Sequence, residues 1–174
     1  MQGPGGGHIF FVDYNDQYAG FNYLEAAPMG WGNGIEVDEG GLTGETTGSA
    51  TVDPFMKWCS DTSSLLGLNA WSNSAVGVGA TNTATASTCA GGAIKAASTY
   101  ASATKSDWFL GSIGEMMLMY TNLRQAGVGG FSTDYYWSSS EYDDDDAWYQ
   151  HFNDGNQDYN YKNNPYYVRP VRAF

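Results

Sequence analysis

Near its carboxyl end the 174-residue sequence reads Tyr136-Trp137-Ser138-Ser139-Ser140-Glu141 and, further on, Val168-Arg169-Pro170-Val171-Arg172-Ala173-Phe174. Aromatic and β-branched residues favour strands, and both stretches contain them. Alternating polar and apolar residues continue between the two stretches, interrupted by a hairpin-type turn at 153–156. We therefore predict four strands at the end of the chain, at 135–139, 147–152, about 158–162 and 168–174.

The segment enclosed by the two stretches, residues 142–167, has an unusual composition. Tyr, Asn, Asp and His fill 18 of its 26 positions, whereas the other 148 residues of the chain contain only 22 of these four types. The 18 positions are Tyr142, Asp143, Asp144, Asp145, Asp146, Tyr149, His151, Asn153, Asp154, Asn156, Asp158, Tyr159, Asn160, Tyr161, Asn163, Asn164, Tyr166 and Tyr167.

Polarity does not explain this choice of residues, because Ser, Thr and Glu would serve an ordinary loop as well. Asn, Tyr, Asp and His share one genetic property: their codons have adenine in the second place and a pyrimidine in the third. Replacing the first adenine of Asn codons at random would produce this mixture. We call these four residue types the codon set, and we interpret 142–167 as a hypervariable, ligand-binding segment.

Other residues within 142–167 fall outside the codon set and are interpreted as framework, among them Gln150, Gln157 and Lys162. The alternation along 147–152 predicts that Trp148 and Phe152 are buried in the core. It also predicts that Tyr149 and His151 point outward. Truncating Trp148 is then expected to cost about 3 to 5 kcal/mol, and truncating Tyr149 very little.

Outside this region the sequence predicts an amino-terminal strand around Ile9-Phe10-Phe11-Val12 and two helices. The first helix is expected at 82–100, although Gly91 and Gly92 interrupt it. The second is expected at 112–125, since Ser112 and Glu115 have the spacing of a capping box and Gly127 supplies a stop. Two helices combined with mostly separate strands indicate the α+β class, in one domain over 1–174.

Composition and charge narrow the classes of function. The formal net charge is -12, from 19 acidic and 7 basic residues, which disfavours nucleic acid as a partner. The longest purely apolar run, at 9–12, is too short to insert into a membrane. Met1 could be the native start or the start of a chain trimmed from a longer one, in which case an export signal would be missing. The sequence therefore does not identify the cellular compartment.

Candidate catalytic and metal-binding residues are few. His8 and His151 lie far apart in sequence and belong to no Ser-His-Asp pattern, so we assign no catalytic residue. Cys59 and Cys89 form no zinc or redox motif, so we assign no metal ligand and expect no cofactor. Their spacing fits a disulfide closing a loop of about 30 residues, worth roughly 3 kcal/mol, and fits two buried thiols equally well.

Several motifs resemble a known family. Trp137 to Glu141, followed by Ala147-Trp148 and the ending 168–174, is similar to the variable proteins of diversity-generating retroelements. The upstream stretches resemble the related C-terminal domain of collagen-like bacterial adhesins. These stretches are Gly5-Gly6-Gly7, Leu24-Glu25-Ala26-Ala27-Pro28 and Ser106-Asp107-Trp108-Phe109-Leu110.

This resemblance implies a C-type-lectin-like fold, with two helices, a small antiparallel sheet joining the chain ends and a second irregular sheet. It implies a non-enzymatic receptor or adhesin whose surface is diversified by adenine-directed mutagenesis from a template. The partner would be a protein or glycan on another cell or particle, and the chain would be displayed on a cell surface or virion.

Three alternatives accompany this interpretation. The first is an adhesin of fixed specificity, and the second is a calcium-dependent, carbohydrate-binding lectin domain, because the run Asp143–Asp146 offers oxygen ligands. A solvated acidic loop explains that run without calcium. The third is an enzyme related to formylglycine-generating oxidases, which need a cysteine pair late in the chain. The arginines Arg169 and Arg172 are expected to pair with carboxylates, with Glu141 as a natural partner.

Overall fold

The computed structural model of this protein describes residues 1–33, 46, 48–67, 73–102 and 104–174. Within these residues the chain forms two sheets and three α-helices, which confirms the α+β class. The strands are β1 (His8–Val12), β2 (Tyr23–Ala26), β3 (Phe55–Met56), β4 (Phe109–Leu110), β5 (Tyr135–Glu141), β6 (Asp146–His151), β7 (Gln157–Tyr161), β8 (Tyr166–Tyr167) and β9 (Pro170–Ala173). The helices are α1 (Gly79–Thr85), α2 (Ala93–Thr99) and α3 (Ile113–Met119).

The first sheet joins the two ends of the described chain. Its strand order is β1-β2-β9-β4, and all of its strand pairs are antiparallel. Strand β2 lies between the amino-terminal β1 and the carboxyl-terminal β9, with Glu25 opposite Arg172. The expected small antiparallel sheet at the chain ends is therefore present.

The second sheet carries the segment 142–167. Its order is β3-β8-β5-β6-β7, and it is antiparallel except where β5 and β8 meet in parallel at Tyr136 and Tyr167. The ladder between β5 and β6 is interrupted between Trp137 and Glu141. This sheet is thus irregular, as expected, and β7 is one of its two edge strands.

The first predicted helix is in fact two short helices. Helix α1 ends at Thr85 and α2 begins at Ala93, and between them Gly92 has a φ of 85°. This left-handed conformation suits glycine and cannot continue an α-helix. The prediction of one continuous helix over 82–100 was therefore wrong, for the reason that the two glycines already suggested.

The second predicted helix begins where the sequence indicated. The Ser112 side chain accepts a hydrogen bond from the Glu115 N–H, and the Glu115 carboxylate accepts one from the Ser112 N–H, which is a complete capping box. Helix α3 continues into a π-helical turn over Tyr120–Arg124. Gly127, with a φ of 69°, follows that turn as the predicted stop.

Strand β5 lies between two hydrophobic cores. Its residue Trp137 packs in one core with Trp58 and Ile94, whereas its neighbour Tyr136 packs in the other with Met116 and Phe152. Successive side chains of a strand point to opposite faces, so one strand can serve both cores. The WSSSE motif therefore occupies the centre of the molecule.

A disulfide joins Cys59 and Cys89, whose Cα atoms are 5.3 Å apart. Both cysteines are buried in the same core as Trp137. The bridge ties the chain that follows β3 to the connection between α1 and α2. Of the two states that the sequence left open, the structure shows the disulfide.

The two arginines of the final motif pair with carboxylates other than Glu141. Arg169 is fully buried and binds both carboxylate oxygens of Asp53, at 2.7 to 3.0 Å. Arg172 donates to Asp107 and lies 3.6 Å from the buried carboxylate of Glu25. The expectation of a pair with Glu141 was wrong, because Glu141 faces a different cation.

Candidate ligand-binding surface

The WSSSE motif forms a buried support beneath the candidate surface. Where the β5–β6 ladder is interrupted, the serines bond to other parts of the chain. The Ser138 hydroxyl donates to the Trp148 carbonyl at 2.7 Å, and the Ser140 hydroxyl donates to the Asn73 carbonyl at 2.6 Å. Because small hydroxyl side chains satisfy these buried carbonyls, β5 can leave the ladder without losing its hydrogen bonds.

A second support is a buried ion pair between Lys162 and Glu141. The Lys162 Nζ lies 2.6 Å from a Glu141 carboxylate oxygen, and both side chains are fully buried. The ammonium also donates to the carbonyls of Asp144, at 2.7 Å, and Ser64, at 3.0 Å. Lys162 therefore fixes the base of the acidic loop from below, and it is the cation that Glu141 faces.

A third support involves the two glutamines interpreted as framework. The Gln157 side-chain amide donates to the Ile113 carbonyl and to the Gln150 side-chain oxygen, both at 2.9 Å. Gln150 is fully buried. These bonds hold β6 and β7 against the start of α3.

Most of the 18 candidate positions lie outside the core. Seventeen of them are exposed or half-buried, and Tyr166 alone is buried. Of the eight other residues in 142–167, four are fully buried, namely Ala147, Gln150, Phe152 and Lys162. Full burial is thus confined to residues outside the codon set, while the other four of these, Trp148, Gly155, Gln157 and Pro165, are exposed or half-buried.

One group of aromatic side chains lies on one face of the β6–β7 hairpin. The rings of Tyr142 and Tyr159 stack with centroids 3.7 Å apart and planes 4° apart. Trp148 packs edge-on against both rings, at 5.6 Å. We call Tyr142, Trp148 and Tyr159 the stacked cluster. It offers a flat aromatic area beside Tyr161, which is 60% exposed.

A second aromatic group lies on the opposite face of the same hairpin. Tyr135 contacts Tyr149, His151 and Tyr166, with ring centroids 4.5 to 5.0 Å apart. We call these four residues the mixed cluster. Its tyrosines rest on Trp137, whose ring lies 4.5 Å from that of Tyr166.

The prediction that one face of β6 is buried and the other displayed was wrong at Trp148 and Tyr149, whereas Gln150, on the face predicted to be buried, is fully buried. Trp148 is half-buried in the stacked cluster, whereas Tyr149 is half-buried against the core that contains Trp137. Phe152 is buried as predicted, but it follows the end of β6 and so does not share the alternation of that strand. The hairpin displays codon-set residues on both of its faces.

The acidic loop is ordered by its own backbone and by charge. One carboxylate oxygen of Asp143 accepts hydrogen bonds from the N–H groups of Asp145, at 3.0 Å, and Asp146, at 2.8 Å. Partial burial and the neighbouring carboxylates of Asp143 and Asp145 raise the pKa of Asp146. The concentrated negative charge favours ligands that carry positive or hydrogen-bond-donating groups.

The phenols of Tyr149 and Tyr159 hold their protons more tightly than a free tyrosine does. Burial, followed by the nearby Tyr166, raises the pKa of Tyr149 to about 12. The hydrogen bond with Tyr142 raises the pKa of Tyr159. His151 lies 2.9 Å from a carboxylate oxygen of Asp154. Hydroxyl groups and aromatic faces, rather than phenolates, are therefore what a ligand meets here.

The cluster of oxygens beneath the acidic loop already holds a cation, the Lys162 ammonium. Among the residues that the structure describes, no group of three or more His, Cys, Asp or Glu side chains is arranged to hold a metal ion. The Lys162 ammonium occupies the cluster of oxygens formed by Glu141, Asp144 and Ser64. These residues do not fit a calcium site.

Two contributors to the surface were missed from the sequence. Tyr135 lies just before the stretch 136–141 and so outside the enclosed segment, and Trp148 was assigned to the core. The signal for Tyr135 was present, because it belongs to the codon set. For Trp148 the sequence offered no signal, since its exposure depends on how β7 folds back over β6.

Comparisons with known proteins give one positive finding. The sequence model of the family described as Lcl C-terminal domain matches residues 51–172. That range includes β3 to β8 and most of β9, together with all three helices. A search of curated proteins found no significant match. In the described part of the chain, no helix has the length and apolar character needed to cross a membrane.

Proposed function

The chain belongs to the Lcl C-terminal domain family, and from this premise we propose that it is a non-enzymatic, ligand-binding protein of the receptor or adhesin type. Its binding surface is the segment 142–167, supplemented by Tyr135. Its fold is C-type-lectin-like, and its ligand is a protein or glycan on another cell or particle. The surface is diversified by adenine-directed mutagenesis from a retroelement template.

One observation carries this proposal: all four fully buried residues of 142–167 lie outside the codon set. Seventeen of the 18 codon-set residues are at least partly exposed, while Gln150, Phe152 and Lys162 are fully buried. A scaffold that tolerates variation must keep its core and its buried hydrogen bonds in residues that do not vary. That division supports a surface in which side chains change and the fold does not.

The chemistry of the surface suits recognition. Tyrosine supplies a large amphipathic contact area with few torsions to freeze, and Asn and Asp supply adaptable hydrogen bonds. Tyr159 and Tyr161 are 40% and 60% exposed, which leaves aromatic area free for a partner. The two aromatic clusters, on opposite faces of one hairpin, offer a ligand two separate areas of aromatic contact.

A few codon-set residues also have local structural roles. The Asn160 side chain donates to the Tyr166 hydroxyl at 2.7 Å and accepts from the Asn164 amide at 2.9 Å. These partners are themselves members of the codon set. Variation at one of them would therefore alter a local network at the surface and leave the three buried supports intact.

Several contacts support a function without catalysis. Both cysteines of the chain are engaged in the buried disulfide, so neither is a free thiol of the kind the oxidase alternative requires. His151 stacks on Tyr135 and pairs with Asp154, and it has no serine or cysteine nucleophile among these contacts. The calcium-dependent lectin alternative is weakened because Lys162 already neutralises the oxygens beneath the acidic loop.

The gene tests the proposed diversification directly. We expect the 18 codons to share a nearly uniform third base. We also expect a near-copy of the segment close by, with adenines at those codons, beside a reverse transcriptase gene. A gene without such a copy, whose relatives keep the same 18 residues, would contradict diversification and leave an adhesin of fixed specificity.

A further inference from the structure

Strand β7 is the exposed edge of the second sheet, and its backbone has two different sides. At one end of the hairpin the His151 N–H donates to the Asn156 carbonyl at 2.9 Å, and at the other the Lys162 N–H donates to the Asp145 carbonyl at 2.8 Å. In an antiparallel ladder every second residue bonds to the neighbouring strand. The backbone groups of Asp158 and Asn160 therefore face β6, and those of Tyr159 and Tyr161 face outward.

The two outward N–H groups of the tyrosines are not free. The Tyr159 N–H donates to the Asp158 carboxylate at 2.9 Å, and the Tyr161 N–H donates to the Asn160 side-chain oxygen at 2.8 Å. Each of these two donors is thus covered by the side chain of the residue before it. Unpaired edge N–H groups are templates for another strand, and proteins commonly block them.

We propose that Asp158 and Asn160 guard the β7 edge, and that losing these side-chain oxygens lets β7 pair antiparallel with β7 of a second copy of this chain. A second copy fits because the edge is self-complementary. A two-fold axis through Tyr159 places Tyr159 opposite its own copy and Gln157 opposite Tyr161. Outward-facing residues then meet outward-facing residues, as a symmetric dimer requires.

This guard limits which residues the surface can hold. Asp and Asn have an acceptor oxygen close enough to reach the next N–H, whereas the hydroxyl of Tyr lies too far from its own backbone to do so. A codon-set change to Tyr at 158 and 160 would expose both donors together. The consequence for a repertoire rests on the proposed function, but the guard itself depends only on the contacts of β7.

The test compares two double variants that add the same aromatic area. Asp158→Tyr with Asn160→Tyr removes both guarding oxygens, and Asn153→Tyr with Asn163→Tyr places the same side chains at exposed positions outside the strands. Molar mass is measured by light scattering in 0.15 M salt, where charges more than about 8 Å apart are screened. We expect the first variant to double the wild-type mass and the second to keep it.

Two further variants show whether the effect at position 158 comes from the acceptor oxygen or from the charge. They also allow for a double variant that does not fold. Asp158→Asn removes the charge but keeps an acceptor, as Asn160 already provides on the same strand, so it should keep the wild-type mass. Asp158→Val removes the acceptor oxygen together with the charge, so its comparison with Asp158→Asn isolates the oxygen, and it is used if the double variant does not give the wild-type circular dichroism. In the dimer the Tyr159 amide should exchange at least about tenfold more slowly than in the variant's monomer.

The proposal would be overturned if Asp158→Tyr with Asn160→Tyr, or Asp158→Val in its place, folded and kept the wild-type mass. Doubling by the control at 153 and 163 would also overturn it, since added aromatic area would then be the cause. Doubling by Asp158→Asn would assign the effect to charge and overturn the guard. None of these outcomes bears on whether the gene carries a template, so failure here is distinguishable from failure of the proposed function.

Discussion

Strands β5 and β7 flank the same strand, β6, yet they differ in almost every physical respect. Six of the seven residues of β5 are buried, and its side chains serve two cores. Four of the five residues of β7 are exposed, and their side chains bond mainly to one another and to nearby turns. One sheet therefore contains both the most fixed and the most accessible strand of the candidate site.

The difference shows how a sheet can separate stability from recognition. On the β5 side, Ser138, Ser140 and Glu141 form hydrogen bonds to residues that lie 10, 67 and 75 positions away in the sequence. The β7 side is held to the rest mainly through its ladder with β6 and through Gln157. Changes in β7 side chains should then leave the free energy of unfolding nearly unchanged, and changes beneath β5 should not.

The largest expected effect is at Lys162. Lys162→Met leaves the Glu141 carboxylate buried without its cation, which should lower the free energy of unfolding by about 3 to 5 kcal/mol. Glu141→Gln combined with Lys162→Met removes both charges and should cost less than Lys162→Met alone. Urea unfolding of both variants at pH 7 measures this. A cost for Lys162→Met no larger than that of a surface substitution would remove the distinction between the two sides of the sheet.

The next comparison is between two aromatic residues of the same segment. Phe152 is fully buried, so Phe152→Ala should cost about 3 to 5 kcal/mol. Trp148 is half-buried, so Trp148→Ala should cost about 1 to 2 kcal/mol, although its side chain is larger. The midpoints and slopes of urea unfolding check both values. An equal or greater cost at Trp148 would restore the face assignment that the sequence suggested.

The capping box at the start of α3 should also make stability depend on pH, through the carboxyl group of Glu115. Burial raises the pKa of this carboxyl group from 4.5 to about 7. Between these values the folded protein holds a proton that the unfolded chain releases. Stability from this group is therefore fully present below about pH 4.5 and declines as pH rises to 7, by up to about 3 kcal/mol.

Glu115→Gln is the control for this pH dependence, because glutamine does not titrate. We expect the wild type to lose stability relative to Glu115→Gln as pH rises from 4.5 to 7, measured by urea unfolding at several pH values. Subtracting the two curves cancels the carboxylates that both proteins share. A difference independent of pH would show that Glu115 is charged in the folded protein throughout this range.

The smallest expected effects are at exposed codon-set positions. Asn153→Tyr and Asn163→Tyr should each change the free energy of unfolding by no more than about 0.5 kcal/mol, since both residues are exposed and outside the strands. Thermal melting of each single variant against the wild type measures this. Losses of several kcal/mol would mean that the segment cannot vary freely.

The sequence predicted much of the architecture, because strong local signals specified it. Ser112 and Glu115 marked the start of α3, and four of the five late strands, β5, β6, β7 and β9, follow from residue types and turn residues. The short strand β8 was not predicted, and the predicted strand at 168–174 begins only at Pro170. The break between α1 and α2 was visible only as two glycines whose effect depends on the packing of the chain around Gly92. Helix propensity alone could not show whether the two glycines kink one helix or end it.

The candidate surface was predicted from composition, and its geometry was not. Lys162 stood out only as a residue outside the codon set, and its partner Glu141 lies 21 residues earlier in the chain. The two-faced hairpin likewise depends on β7 folding back over β6, which the alternation within β6 does not reveal. Pairing between distant residues is where inference from a single sequence stopped.

Beneath the acidic loop, the positive charge comes from the Lys162 ammonium, which is part of the chain, and not from a bound cation that can exchange with the medium. A loop shaped by a bound divalent cation loses its form in EDTA and depends on the cation supply of its surroundings. Here the charge is covalently attached and stays in place through dilution, chelation and changes of medium. The shape of this loop should therefore be the same in calcium-poor and calcium-rich surroundings, and chelators should not change it.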